Sequence, residues 1–435
     1  MTSSSRPRIA LLTASVGSGH VRAAQAAAAA LREHAKPDGA ARAHDMRIQV
    51  FDALEDSSAA FRTLYRDGYL ALVRHAPRLV GMLYDGTDRA RGGPSDPVRR
   101  AIQRRALSRF ADRLAAFAPD VVVSTHFLTS EWFAWMRRRR VIDCPMVTVV
   151  TDLHPHAIWL HGPCEAVCVS SDGAAGIVRA SAHADHAEVT GIPIDPAFAQ
   201  PMSREDAARA VGRAGGAASD RPVDPSRPRV IFSTGGCCVG PVRQMWSSLL
   251  ELPRNIELVA ICGHSARAKA TLESLARERG AADRVRVIGF TDRMHAWMAA
   301  SDALVGKPGG LTSAECRARG LPMVIACAVP GQEDRNAHCM ERWGCAIRCP
   351  SPVDAGSVVH SLMDDRHRLA TMSASALAHA QPHSARDVAA VVHRASGIGH
   401  LPSPACTVTD TPRRAAQPRA SRASARSSAP SPASG

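Results

Sequence analysis

The sequence contains no uninterrupted run of about 18 apolar residues, so no segment reads as a membrane-spanning helix. Its start also lacks a charged-then-apolar leader with a small-residue cleavage site, and the expectation is a protein that begins and stays in the cytosol. Aromatic residues make up only 4% of the chain, too few for a groove that stacks bases, and no recognised nucleic-acid motif accompanies them. That counts against the nucleic-acid-binding protein that a formal charge of +14 would otherwise invite. The twelve cysteines are scattered through apparent strands and loops of a chain without an export signal, and they read as reduced thiols.

The positive charge is concentrated. Residues 62–140 hold sixteen Arg, no Lys and seven acids, and residues 411–435 add five Arg with no acid. Nucleic acid and anionic lipid would be attracted equally by such stretches, so the neighbouring residues decide. Between Phe61 and Tyr84, Arg62, Arg66, Arg74 and Arg78 are interleaved with aliphatic and aromatic residues. Leu64, Tyr65, Gly68, Tyr69 and Leu72 fall at helical spacing, leaving Arg62, Arg66 and Arg74 on other faces. A helix of this kind lays its apolar stripe among acyl chains while each Arg gains about 1 kcal/mol from anionic headgroups. An amphipathic helix packed on its own domain would show the same stripe.

The order of elements is that of an α/β protein with two facing Rossmann-like domains. Arg8 to Thr13 is a short apolar run, followed by a glycine-rich turn at Val16 to Gly19 and an Ala-rich helical stretch from Val21 to Glu33. Further strands are expected at Arg47–Phe51, Val121–Ser124, Met146–Val150, Ala166–Val169 and Glu188–Thr190. A second series follows at Val230–Ser233, Leu258–Cys262, Val285–Gly289, Ala303–Val305 and Met323–Ala326. These divide the chain into a first domain over 1–205, a linker over 206–228, a second domain over 229–400 and a disordered basic tail over 401–435.

Chemistry concentrates at the glycine turns. In Gly306-Lys307-Pro308-Gly309-Gly310-Leu311-Thr312-Ser313-Ala314-Glu315, glycines after a strand let backbone N–H groups approach a diphosphate, and the next helix N-terminus favours its charge. Glu315, one turn in, is placed to accept hydrogen bonds from ribose hydroxyls. A plain strand-to-helix turn capped by Thr312 has the same pattern, and the Walker spacing is absent. His20, at the mouth of the first domain, has the residue type of a general base near neutrality, although spacing alone favours a capping or solvated histidine. Asp152, His154, His156, His161, Cys164 and Cys168 lack a recognised ligand spacing on a fixed element, and no metal is expected there.

Taken together these segments resemble the monogalactosyldiacylglycerol synthase and processive diacylglycerol glucosyltransferase family, relatives of the peptidoglycan enzyme that adds N-acetylglucosamine to lipid I. The matching stretches run from about residue 8 to 345. They include Ala14 to His20, Tyr84-Asp85-Gly86-Thr87-Asp88, Pro119 to His126, Val150-Thr151-Asp152 through Trp159 and His161, Thr190 to Ile194, Lys307 to Glu315 and Val329 to Asn336. The resemblance implies a glycosyltransferase B fold, with the acceptor on the first domain and a UDP-hexose on the second. It places the base on His20, the diphosphate on Gly309, Gly310, Leu311 and Thr312, the ribose on Glu315, uracil at Phe290, and sugar hydroxyls or phosphate on Gln332, Glu333 and Asn336. Gly235 and Gly236 would also line the donor site, although the adjoining Cys237 and Cys238 are weaker hydrogen-bond donors than hydroxyls. Gly19, Asp152 and Trp159 would stand on the acceptor side, with Tyr65, Tyr69 and the four Arg toward the membrane. The reaction implied is inverting, free of metal and cofactor, on diacylglycerol or a glycosyl-diacylglycerol at the cytoplasmic membrane face, with anionic lipids as partners. Transfer of N-acetylglucosamine to a polyprenyl-linked acceptor is the alternative.

Overall fold

The structure, a computed structural model, describes residues 6–34, 46–89, 96–160, 162, 164–181, 186–212, 221–233, 235–236 and 240–397. Residues 1–400 form one compact unit. The tail over 401–435, expected to be disordered, lies outside the described residues, as do His161, Cys237 and Cys238.

A parallel strand covered on both faces buries every side chain, which is why the apolar runs were readable as strands. The first sheet contains β1 (Arg8–Thr13), β2 (Arg47–Asp52), β3 (Val121–Ser124), β4 (Met146–Val149), β5 (Ala166–Val169) and β6 (Ala187–Val189), ordered β2-β1-β3-β4-β5-β6. The second contains β7 (Arg229–Ser233), β8 (Glu257–Ile261), β9 (Val285–Ile288), β10 (Ala303–Gly306), β11 (Met323–Ile325) and β12 (Ala346–Arg348), ordered β12-β11-β10-β7-β8-β9. All pairings in both sheets are parallel. In each sheet the strand order reverses beside the opening strand, between β1 and β3 and between β7 and β10, and crevices beyond the carboxyl ends at such points bind ligands.

Helix α1 (Ser18–His34) leaves the first glycine turn and buries Ala23, Ala24, Ala27, Ala28 and Leu31. Those small side chains let it sit close to the sheet and to the helix Ser384–Ser396, whose Val388, Ala389 and Val392 enter the same core. The chain thus returns to cover its first sheet after completing the second. The segment read as a linker, 206–228, starts inside the helix Arg204–Gly212, whose Ala207, Ala208 and Val211 are buried. Ala208, Val211 and Val223 share a core with Trp297 and Met298 of the second sheet's layer.

The Arg-rich stretch is not the single helix expected. It runs as Ala59–Arg62, one wide π-type turn over Thr63–Asp67, Gly68–His75, and α2 (Pro77–Arg89). Ala76 leaves the helical region at φ −140, ψ 55, as the ring of the following proline requires. The π turn inserts a residue and rotates the stripe. Tyr65, four residues after buried Phe61, stacks on it at 5.4 Å and packs against the first sheet's core, while Leu64 is 71% exposed. The common face expected for Leu64 and Tyr65 does not form, and Tyr65 is a core-side residue.

Candidate functional site

His20 lies in the first turn of α1, across the β1–β3 crevice from Thr125, which follows β3. Its Nδ1 is 3.0 Å from the Thr125 carbonyl oxygen, and the Thr125 hydroxyl donates to the His20 carbonyl at 3.0 Å. A carbonyl can only accept, so Nδ1 carries the proton and Nε2 keeps a lone pair. Thr151 places its Oγ1 2.8 Å from the same Nδ1. Burial lowers the His20 pKa, with Asp152 opposing, so the neutral imidazole is favoured. His126 meets His20 edge to face at 4.5 Å, accepts the Leu128 N–H at 3.0 Å through Nδ1, and is held neutral by burial. Thr125, His126 and Thr151 were not singled out from sequence as site residues. Their position at the carboxyl ends of β3 and β4 was the available signal.

Asp152 is buried, with Oδ2 accepting from Trp159 Nε1 at 3.1 Å and Oδ1 from Gln332 Nε2. Burial raises its pKa, and the Gln332 bond and nearby His20 resist that shift. Trp159 is only 2% exposed, which makes it a support for Asp152. The His/Cys stretch does other work. His156 accepts from Ile158 N–H through Nδ1 and donates from Nε2 to the Tyr84 carbonyl at 2.8 Å, and Cys168 is buried in a core. Among the described residues no group of three His, Cys, Asp or Glu is arranged to hold a metal ion.

The second sheet supplies the opposite wall. Helix α3 (Gly310–Ala318) begins after β10, with Gly309 extended at φ −63, ψ 143 as its N-cap. Gly310 touches the first domain so closely that a Cβ there would lie 1.9 Å from the Thr151 carbonyl oxygen. The start of this helix, with its unpaired first-turn N–H groups, therefore lies against the strip that carries His20, Thr151 and Asp152. Leu311 is buried beside Gly19, and Thr312 is half-buried in the first turn. Glu315 is buried, its Oε1 accepts no hydrogen bond, and Arg22 of α1 stands 3.7 Å away. Burial pushes its pKa up to about 7, with Arg22 opposing.

Gly236, in the loop after β7, lies against the Ser18 side chain, and Gly235 holds φ +80. Phe290 is 59% exposed and stacks on His264 at 4.6 Å, a partner the sequence reading missed. Helix α4 (Gln332–Arg342) starts opposite Asp152. Beyond the Gln332 contact, Asn336 is buried and accepts from the Leu153 N–H at 2.8 Å. Glu333 accepts from Lys307 Nζ at 2.8 Å and from the Val329 N–H at 2.7 Å. The structure therefore brings His20, Asp152, Gln332, Asn336 and the α3 start to one cleft.

The residues expected at the membrane divide. Arg78 is exposed and Arg66 pairs with Asp67 at 3.1 Å, Arg62 is half-buried, and the side chain of Arg74 lies outside the described residues. Tyr69 is 37% exposed, yet burial and then Glu333 push its phenol up to about 12, so its hydroxyl end belongs to the Lys307–Glu333 side. On α2, at about 100° per residue, Leu79, Met82 and Leu83 share one face and are 44%, 72% and 53% exposed.

Two family profiles match this architecture. That of monogalactosyldiacylglycerol synthase covers residues 24–194, and that of the glycosyltransferase family 28 C-terminal domain covers residues 242–388. A processive diacylglycerol β-glucosyltransferase of Staphylococcus epidermidis is 25% identical over 391 residues, covering 88% of this chain and 91% of its own length. A probable chloroplastic monogalactosyldiacylglycerol synthase 2 of Oryza sativa subsp. japonica is 29% identical over 290 residues, covering 64% of this chain and 59% of its own. MurG of Acinetobacter baumannii, at 15% identity, superposes with a TM-score of 0.54 over 89% of this chain and 99% of its own. One profile falls on the first sheet and the other on the sheet carrying α3 and α4: the chain carries a domain matching the monogalactosyldiacylglycerol synthase model, followed by one matching the glycosyltransferase family 28 C-terminal model, on the glycosyltransferase B fold.

Proposed function

We propose that the protein transfers a hexose from a UDP-sugar to diacylglycerol or a glycosyl-diacylglycerol, with inversion, at the cytoplasmic face of a membrane. The observation that carries this is the facing arrangement of His20 and the α3 N-terminus, in contact through Gly310 and Thr151. With its proton fixed on Nδ1, His20 takes the acceptor hydroxyl's proton on Nε2 as that oxygen attacks the anomeric carbon. The leaving diphosphate gathers charge at the α3 N-terminus, where unpaired N–H groups and the helix dipole stabilise it. Asp152, held by Trp159 and Gln332, stabilises the imidazolium that forms. The names of the Staphylococcus and Oryza relatives, a diacylglycerol β-glucosyltransferase and a probable monogalactosyldiacylglycerol synthase, agree with a hexose moved to a diacylglycerol acceptor.

Glu315 is assigned to the ribose, where its carboxylate accepts hydroxyl hydrogen bonds. Because burial pushes its pKa up to about 7, the accepting form is gained as pH rises through that value. UDP-glucose has no group titrating between about pH 5 and 8, so its affinity should climb by several-fold from pH 6 to 8. Calorimetry on Glu315→Gln should give weaker binding with a flat profile. A wild-type profile that is already flat would remove Glu315 from this role.

Membrane binding is assigned to the outward face of α2 and the exposed Arg66 and Arg78. Among the described residues no helix is long and apolar enough to cross a membrane. In flotation with vesicles, Leu79→Ser/Met82→Ser/Leu83→Ser should reduce binding to neutral and anionic vesicles alike, through lost apolar burial. Arg66→Glu/Arg78→Glu should reduce binding to anionic vesicles only, and salt should shrink that difference. If both variants float like the wild type, this face does not meet the lipid.

A further inference from the structure

Arg335 stands on α4 between Gln332 and Asn336, but its guanidinium leaves the cleft. Nη1 donates to Asp88 Oδ2 at 2.7 Å and Nη2 to Asp85 Oδ1 at 2.9 Å, both on α2. The same group lies 4.9 Å over the Tyr84 ring, which packs on His156 at 4.1 Å. Asp88 also accepts the Ala157 N–H at 2.9 Å, tying the segment after β4 into the contact. Gly331, at φ +95, approaches Tyr84 so closely that a Cβ would lie 2.8 Å from its ring, and Gly81 meets Pro330 in the same way. At about 100° per residue, Gly81, Tyr84, Asp85 and Asp88 lie on the face of α2 opposite Leu79, Met82 and Leu83.

These contacts differ from an ordinary surface pair. One planar donor spans two carboxylates and an aromatic face, which fixes its direction as well as its distance. The Arg335 side chain is only 23% exposed, so water competes less than at an open pair. What it joins are the helix start that presents Gln332, Glu333 and Asn336 and the first-domain segment that runs on to Asp152.

We infer that Arg335 is a positioning residue: by docking the first turn of α4 on Asp85, Asp88 and Tyr84, it holds Gln332 on Asp152 and Asn336 on Leu153, and so sets the sugar end of the donor site. This rests on the reading that the α4 turn borders the transferred sugar. The uridine and diphosphate assignments, on α3, Glu315 and Phe290, do not pass through Arg335.

The test compares Arg335→Gln, Arg335→Lys and Asp85→Asn/Asp88→Asn in the full chain, measuring UDP affinity by calorimetry and kcat and KM for the UDP-hexose. Arg335→Gln should keep UDP affinity within about twofold of wild type while kcat/KM for the UDP-hexose falls about 10- to 100-fold, the range for a small misplacement at a reacting centre. The Asp85→Asn/Asp88→Asn variant should fall as far, and all three changes together no further, because they break one unit. Arg335→Lys should recover part of the loss, since an ammonium reaches one carboxylate at a time. Unchanged turnover in Arg335→Gln, losses that add across the set, or UDP affinity lost together with turnover in every variant would each overturn the inference. If the wild type itself binds no UDP, the donor-site reading fails and the inference falls with it; wild-type UDP binding beside unaltered Arg335→Gln kinetics sinks the inference alone.

Discussion

Replacing His20 with Ala should lower kcat by about 100-fold or more, equivalent to about 2.7 kcal/mol of transition-state stabilisation, while UDP affinity stays as it was. The imidazole is held by first-domain groups, Thr125 and Thr151, so its removal leaves the α3 side of the cleft untouched. The pH dependence has a definite sign. A base must be neutral, and burial lowers the His20 pKa from its ordinary 6.5, so the acid limb of kcat/KM should lie below that value. Activity rises with pH through this limb and is then flat as far as His20 is concerned. In His20→Ala the residual rate should lack the limb. A variant with near-normal turnover would reduce His20 to a turn residue that caps nothing more than its own loop.

A second large effect is expected from one methyl group. In Gly310→Ala the added Cβ would sit 1.9 Å from the Thr151 carbonyl oxygen, a backbone atom that cannot rotate away. The two domains must then separate at that point, or α3 must tilt, and in either case His20 and the α3 N-terminus lose register. Displacements of about 1 Å at a reacting centre cost on the order of 100-fold in rate. Turnover in Gly310→Ala should therefore fall by about 100-fold or more, with UDP affinity weakened as well, in a protein whose two sheets remain folded. Circular dichroism and calorimetric UDP titration on the same sample check this. Normal turnover would mean that the close contact of Gly310 with Thr151 is not kept during catalysis.

Much of this arrangement was legible in the sequence because buried parallel strands write themselves as apolar runs. The eleven expected strands match β1 to β11 to within a residue or two at each end. β12 was missed: Ala346-Ile347-Arg348 is short and only its first residue is buried. The Gly309–Glu315 turn stood out because it follows β10 at the carboxyl edge where ligands gather, whereas His20 took its role from the resemblance, its spacing alone favouring a capping or solvated histidine.

What was not legible is contact between residues distant in the chain. Gln332 and Asn336 were assigned to the donor through resemblance, yet their protein partners are Asp152 and Leu153, which no local spacing connects to them. Helical periodicity also misplaced Tyr65. Helical spacing groups Leu64 with Tyr65 but does not say which edge of the stripe meets the protein: Tyr65, four residues after buried Phe61, stacks on it, while Leu64 is left exposed. The helix Ser384–Ser396 has the ordinary stripe of a core-facing helix, and nothing in that stripe says which of two sheets it covers.

The most direct measurement is the structure of the product. Purified protein is incubated with UDP-glucose or UDP-galactose and vesicles containing diacylglycerol, and the glycolipid is isolated for proton NMR of its anomeric position. A single displacement driven by His20, on a donor whose sugar is α-linked to the diphosphate, must yield a β-hexosyl-diacylglycerol, formed by the wild type and nearly absent with His20→Ala. An α-linked product, or transfer only to a polyprenyl-linked acceptor with N-acetylglucosamine as the sugar, would contradict it.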